Sequence, residues 1–398
     1  MTKFRLSFAI YLSVLFILSA FFLITVYQSE TNNSMAEWLI NYQGGFTRRG
    51  FLGEIIFQMS ILFDFELRKG FLLLQIFIYF IYFLSIYYFF KDTTTNYLFC
   101  LAIFSPVFFL FSLAELEALG RKELLMFSAF LINFLLYKRF NNLNYNYLYF
   151  LITLPIIMLT HEIYIIYISY FILFFLLFEK NYNSLTLLKF FTVILSVLII
   201  LFLILTNDYD STNLKQMCDS LLLNKNEKCG LAPYSMISNI GGYRAEVDWK
   251  FTHIVRYVMI FIVGFGVLTT LIAHSNFNEK EVNKYLCKIK FPLLFLILFL
   301  PSILPFFTAV DSGRYTSMAY NMAVIFFFGC YNFNKINIDF ELIKKRFRFL
   351  IIESKYILFL IFLTMCFTWN PKAVYHEDIG SIPIYRLLAK FINYLWNF

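Results

Sequence analysis

The sequence predicts an all-α fold: a polytopic transmembrane helix bundle of about eleven spans, with an amphipathic interfacial helix in its first outer loop. Three observations predict it. Hydrophobic residues make up 60% of the 398 positions and charged residues only 15%, where soluble domains average about 45–50% and about 25%. Phe contributes 54 residues and Tyr 28, more apolar surface than a soluble chain of this length can hide. The apolar residues also form continuous runs rather than the alternation of a membrane β-barrel. These features disfavour a soluble enzyme, a disordered chain and a disulfide-rich secreted domain.

A bilayer core of about 30 Å needs about 20 apolar residues per helix. Eleven segments qualify: 6–27, 71–90, 96–113, 123–137, 145–160, 163–178, 188–206, 253–273, 291–310, 316–331 and 350–368. The first follows Lys3 and Arg5, is long and has no small-residue cleavage site, so it reads as a signal anchor. The stretch 50–65 (GFLGEIIFQMSILFDF) is short and holds Glu54 and Asp64, so it is placed on the membrane rather than through it.

Topology follows from that placement. The chain runs with its N-terminus in the cytoplasm and its C-terminus in the periplasm of a bacterial inner membrane. Three short basic loops then lie inside: Lys138 with Arg139, Lys280 to Lys290, and Lys344 to Arg348. If 50–65 crossed, Lys138 and Arg139 would move outside. The net charge of +8 and the pI near 9.0 therefore belong to topology, and no nucleic-acid partner is expected. Residues 1–398 form one integral membrane domain, with periplasmic loops at 28–70 and 207–252.

Six cysteines are too few for a disulfide scaffold. Two of them, Cys218 and Cys229, lie in the longer outer loop, where an oxidising periplasm favours a disulfide between them. No Cys/His cluster, HExxH, Walker A or GxGxxG motif appears, so neither a metal nor another cofactor is expected.

Ionisable residues at or within spans are expensive and mark functional sites. On this topology they gather in four outer clusters. The first is NYQGGFTRRGFLGE, where glycines allow close backbone approach and Arg48 and Arg49 offer planar forks for phosphate oxygens, with Glu54 one helical turn on. The second is ELEALGRKE, where Glu117 and Arg121, four apart, can pair on one helix face beside Lys122 and Glu123. The third is His161-Glu162 between two closely spaced spans, a proton carrier with a base or orienting partner. The fourth is DSGRY, carrying Asp311 and Arg314 after a helix interrupted by Pro301 and Pro305. The long loop adds Arg244. Each cluster also has a plain reading as a lipid-headgroup contact, a connector, a polar turn or a helix cap.

Gathered around one cavity, these groups would bind a polyanion and move a proton. A lipid-linked pyrophosphate sugar suits them: cations stabilise the departing diphosphate, and a carboxylate or His takes the proton of the attacking hydroxyl. On this reading Arg48, Arg49, Arg121 and Arg314 hold the pyrophosphate. Glu162, His161 or Asp311 is the base. Glu54, Glu117 and Glu123 orient arginines or bind sugars. No strong DxD metal motif is present; Asp208-Tyr-Asp210 is a near-match.

In composition, length and topology the chain resembles O-antigen polymerases of the Wzy type, which are Phe-, Ile-, Tyr- and Asn-rich inner-membrane proteins with arginine-bearing periplasmic loops. The resemblance implies polymerisation of undecaprenyl-pyrophosphate-linked oligosaccharide units on the periplasmic face, with Arg48, Arg49, Arg244 and Arg314 as outer-face arginines. It admits a chain-length regulator as a protein partner beside the lipid bilayer. The chain departs from the family in having one large outer loop where two are often drawn. A second resemblance is to GT-C glycosyltransferases using a polyprenyl-phosphate sugar, whose acidic base lies in the first outer loop; Glu30, Glu37 and Glu54 are then candidates, although no Asp follows span one. A lipid-linked oligosaccharide flippase is a third reading, and it lacks the internal repeats of such transporters.

Overall fold

The computed structural model describes residues 2–28, 33–93, 96–115, 117–179, 182–230, 233, 251–305, 312–347, 354–372 and 392. It is mostly helical. In chain order the helices are α1 (Thr2–Val26), α2 (Asn33–Trp38), α3 (Phe51–Leu62), α4 (Leu67–Phe90), α5 (Tyr97–Ile103), α6 (Phe111–Ala114), α7 (Glu123–Phe140), α8 (Leu143–Thr160), α9 (Ile168–Phe178), α10 (Ser184–Thr206), α11 (Ser211–Lys225), α12 (Phe251–Met259), α13 (Gly266–Ala273), α14 (Phe291–Phe299), α15 (Ser312–Asn332), α16 (Phe340–Arg346) and α17 (Lys355–Phe367). One antiparallel pair, β1 (Ser275–Phe277) and β2 (Ile336–Ile338), is the sheet among the described residues.

Among the described residues, five segments are long and apolar enough to cross a membrane: Phe4–Val26, Leu67–Phe90, Leu143–Thr160, Ser184–Thr206 and Ile254–Ala273. Their exposed faces are apolar. Leu6, Ile10 and Ile17 on α1, and Leu198, Ile199 and Phe202 on α10, are all about half exposed or more. Only 17% of the most apolar window of α10 is buried. Such faces need hydrocarbon around them.

The chain divides into two compact units. The first comprises 1–92, 119–168 and 182–243. Here α4 packs on α1 and α7, and α8 packs on α7 and α10. Polar bonds fix the direction of each helix. Asp92, just after α4, pairs with Arg5 on α1 at 2.8 Å and with Lys138 on α7 at 2.7 Å. Lys189 on α10 donates to Asn144 on α8 at 2.6 Å. At the start of α4, Arg68 donates to the Tyr27 carbonyl just after α1, at 3.1 Å. The connection 28–66 therefore leaves and returns at the same end of the unit. Helix α3, inside that connection, has 12 residues, about 18 Å of helix and too short for a bilayer core.

Local chemistry sets the helix ends. Asn96, Asn142, Asn183 and Asp210 accept backbone N–H bonds as N-caps of α5, α8, α10 and α11, and Asp210 forms a capping box with Asn213. Asn141 and Asn226 end α7 and α11 in the left-handed region, at φ 47° and 50°.

Helix α11 is tied to the first loop. Met217 and Leu214 pack with Ile40, against which Tyr209, Cys218 and Cys229 also lie. Asn213 donates to the Gly44 carbonyl at 2.6 Å, and Asn207 to the Phe46 carbonyl at 2.6 Å. A Cβ on Gly44 would stand 1.9 Å from the Asn213 carbonyl oxygen, so only glycine permits this approach. Cys218 and Cys229 form a disulfide across 11 residues. Beside it, Glu227 pairs with Arg68 at 2.6 Å.

The second unit comprises 93–118, 169–181 and 244–398. The expected span 96–113 is broken in it: α5 stops at Ile103 and α6 starts at Phe111. Pro106 explains the break, since it lacks an N–H and disfavours helix before it. The loosened backbone is paired by side chains. Ser317 on α15 donates to the Val107 carbonyl at 2.9 Å, and Tyr320 to the Ala102 carbonyl at 2.7 Å. Ser105 donates to the Gly264 carbonyl at 3.0 Å, inside a π-helical turn at Ile260–Phe265. Such irregular backbone at membrane depth survives only when protein groups satisfy it.

Closing a short loop by a disulfide contributes about 2–3 kcal/mol. The double variant C218S/C229S should therefore unfold at a lower temperature in detergent. Reductant should lower wild-type protein to the same value and leave the double variant unchanged. Equal melting of both proteins with and without reductant would show that the disulfide adds nothing.

Candidate functional site

A glutamate with almost no solvent exposure marks the site. Glu37, at the end of α2 in the first unit, is 2% exposed. A carboxylate so placed requires cationic or hydrogen-bonding partners. Arg121 donates to it at 2.8 Å, Arg49 lies 3.6 Å away and His161 Nε2 3.5 Å away. These partners come from three distant segments: the loop before α3, the turn before α7 and the end of α8.

A second carboxylate, Glu162, stands beside it. Arg49 grips it side-on, with Nε 3.1 and 2.9 Å from the two oxygens and Nη2 2.5 Å from Oε1. Arg48 approaches the same carboxylate at 3.6 Å. Consecutive side chains normally diverge; here Arg49 adopts φ 67°, a left-handed conformation rare for a side-chain-bearing residue. That twist accompanies the convergence of both guanidiniums on one carboxylate.

Lys122 lies under the loop. It is fully buried, donates to the Arg49 carbonyl at 2.9 Å and stands 5.4 Å from the Trp38 ring. Gly120 anchors this turn. Its carbonyl accepts from Trp38 Nε1 at 2.6 Å and Gln75 at 3.1 Å, and its N–H donates to the Tyr79 hydroxyl at 3.2 Å. At φ +73° this position suits glycine, and a Cβ would meet Gln75 at 3.0 Å.

His161 ends α8 in an extended conformation and caps the following 3₁₀ turn: its Nδ1 accepts from the Ile163 N–H at 3.3 Å. Its Nε2 faces Glu37. Glu162 Oε2 lies 3.5 Å from Nδ1.

The electrostatics follow from this crowding. Glu162 lies just beyond the end of the candidate span Leu143–Thr160. Burial works to raise its pKa, but Arg49, His161 and Arg48 prevail and hold it well below the usual carboxylate range. For Arg48, burial lowers the pKa and neighbouring Arg49 adds to this, against Glu162. In all, four cations (Arg48, Arg49, Arg121 and Lys122) meet two carboxylates and one histidine. The chemistry of that set suits an anion rather than a metal, and no metal-holding group of three His, Cys, Asp or Glu occurs among the described residues.

The structure thus brings together Arg48, Arg49, Arg121, Lys122, His161 and Glu162. It treats the remaining predicted residues differently. Residues 117–120 form a turn and α7 starts only at Glu123, so the helix face expected to pair Glu117 with Arg121 does not exist; Arg121 bonds Glu37 instead. Glu54 lies one turn into α3, as expected, and accepts from the Tyr42 N–H at 2.9 Å and the Gln43 and Gln58 amides at 2.8 and 2.6 Å, which folds the loop back on α3. Glu123 is buried in the first turn of α7. Glu117, in a turn, and Arg314, buried on α15, belong to the second unit. Arg244 and Asp311 lie outside the described residues. Sequence reading placed Glu37 only among three loop acids; its signal was a lone carboxylate within the apolar run MAEWLI.

Replacing Glu37 by Gln should cost about 3–5 kcal/mol, because buried cations lose their counter-charge. Pairing it with Arg121→Gln should recover part of that loss, read as a non-additive shift in the unfolding midpoint. The depressed pKa of Glu162 adds a pH dependence. Its stabilisation is complete above the ordinary value of 4.5 and drains away as the pH falls below it. Wild-type protein should lose thermal stability progressively as the pH falls from about 4.5 towards about 2, and Glu162→Gln should lose less over the same interval. Comparison of the chain with protein-family models, curated proteins and solved structures finds no match, so the site rests on its own geometry.

Proposed function

We propose that the chain is a bacterial inner-membrane glycosyltransferase that polymerises undecaprenyl-pyrophosphate-linked oligosaccharide units on the periplasmic face into O-antigen or a related surface polysaccharide. The observation that carries this reading is the convergence of Arg48, Arg49 and Arg121 on Glu37 and Glu162 beside His161, with Lys122 bonded to the Arg49 carbonyl, in a unit of long apolar helices. Guanidinium forks match diphosphate oxygens, and the apolar helices match a polyprenyl chain.

The end of the first unit that carries Arg5, Lys138, Arg139 and Lys189 is taken as cytoplasmic by the positive-inside rule. The site then faces the periplasm, where the Cys218–Cys229 disulfide is at home. The short helix α3 lies at the interface, and the eleven-span topology places the N-terminus inside and the C-terminus outside.

In the reaction an acceptor hydroxyl attacks the anomeric carbon, and the bond from that carbon to the pyrophosphate oxygen breaks. The arginines stabilise the charge left on undecaprenyl pyrophosphate. The hydroxyl proton passes to Glu162, which lies at the open edge of the cluster with His161 beside it. A chain-length regulator is the protein partner of this reading. Buried Glu37 favours a second reading, a GT-C-type transferase with a polyprenyl-phosphate sugar donor, because that family places its base in the first outer loop.

Gene deletion separates the readings. A polymerase loss leaves one capped repeat unit on the lipid core, a loss of GT-C activity leaves long chains lacking one sugar, and a flippase loss leaves no repeat at all. In complementation, Arg48→Ala, Arg49→Ala and His161→Ala should each cut chain formation about 100-fold or more at wild-type protein levels. Normal chains in all three would remove the site.

A further inference from the structure

The Arg49–Glu162 contact has a feature that a purely structural ion pair does not need. A buried pair is sealed on all sides, as Glu37 is at 2% side-chain exposure. Glu162, Arg48 and Arg49 keep 14%, 14% and 21% of their side chains exposed, so this carboxylate sits at the open edge of the cluster. Two guanidiniums, those of Arg48 and Arg49, face this one carboxylate. The side-on grip, with Nε and Nη2 both on the carboxylate, is the geometry in which a guanidinium holds two oxygens of a phosphate group.

Arg49 does not depend on Glu162 alone for its position. Arg49 is held through its backbone, where Lys122 bonds its carbonyl, and through Glu37 at 3.6 Å. Its loop is held by Glu54 on one side and by Asn207 and Asn213 on the other. Glu162 itself lies in a short turn of 3₁₀ helix, a form of backbone weaker than α-helix.

We propose that Glu162 is a displaceable internal counter-ion: its carboxylate takes the same places on Arg48 and Arg49 that a diphosphate group takes, so ligand and glutamate compete for one pair of forks. This rests on the phosphate reading above and adds its regulation. Competition weakens the grip on any anion, so weakly charged solutes fail to displace the glutamate, while a diphosphate, with more charge and more oxygens, succeeds. The same competition loosens the hold on the spent carrier once the sugar chain has left.

The test uses the full-length protein in detergent and titrates it with inorganic pyrophosphate at constant ionic strength. Glu162→Gln keeps the side chain's size and removes its charge. It should bind pyrophosphate about tenfold or more tighter than wild type, the scale of a charge-assisted hydrogen bond. Arg49→Gln should bind more weakly than wild type. If Glu162→Gln does not fold, Glu162→Asp, which keeps the charge but shortens its reach, should still bind tighter by a smaller factor. A polyprenyl pyrophosphate titration identifies the source of the ligand: a gain with both probes supports the exchange, and the tighter probe is the natural form. A Gln variant that melts like wild type and binds no tighter overturns the exchange while leaving the anion site standing. Absence of pyrophosphate binding in wild type and variants alike overturns the phosphate reading and the exchange together.

Discussion

The first unit is organised by one electrostatic constraint, the burial of the Glu37 carboxylate. A bare carboxylate out of water is unstable by many kcal/mol, so Glu37 must be met by charge wherever the chain can supply it. Arg49 and Arg121 supply it, with His161 beside them, from three connections far apart in sequence. Meeting that demand fixes the register of the loop before α3 against the turn before α7 and the end of α8. The charged edge formed by Arg48, Arg49 and Glu162 is a consequence of this pinning, since Arg49 serves both carboxylates.

Around that centre the supports are layered. Gly120 is clasped by Trp38, Gln75 and Tyr79, which sets where Arg121 and Lys122 begin. Helix α11 covers the glycine-rich loop, and its own end is closed by the disulfide. The strained backbone at Arg49 is tolerated because the loop is held from several sides: Lys122 beneath it, Glu54 at its return, and Asn207 and Asn213 above. Strain kept in this way places two adjacent cations on one target. The second unit solves a different problem by the same rule, pairing the broken backbone at Pro106 with Ser317, Tyr320 and Ser105.

Part of the site was legible because its residues are chemically out of place. Twin arginines in a glycine-rich loop, and a His–Glu pair between two apolar runs, stand out on a background of Phe and Ile. Arg121 was found for the wrong reason: its spacing from Glu117 suggested one helix face, but Gly120 turns the chain at positive φ and no helix spans both. Glu54 carries the expected charge at the expected place and spends it on the loop's own amides. Glu37 was underrated because spacing says nothing about partners 12, 84 or 124 residues away.

The sequence by itself determined the solvent and the secondary structure. A chain with 60% hydrophobic residues in long unbroken runs must form helices that meet hydrocarbon, and Asn, Asp, Gly and Pro mark many of the helix ends through local bonds. Tertiary structure decided which charges meet. Ion pairing depends on distance in space, and loop closure brings together cations and carboxylates that no local pattern links. It also pairs, through side chains of α15, the carbonyls freed where Pro106 breaks the span expected at 96–113.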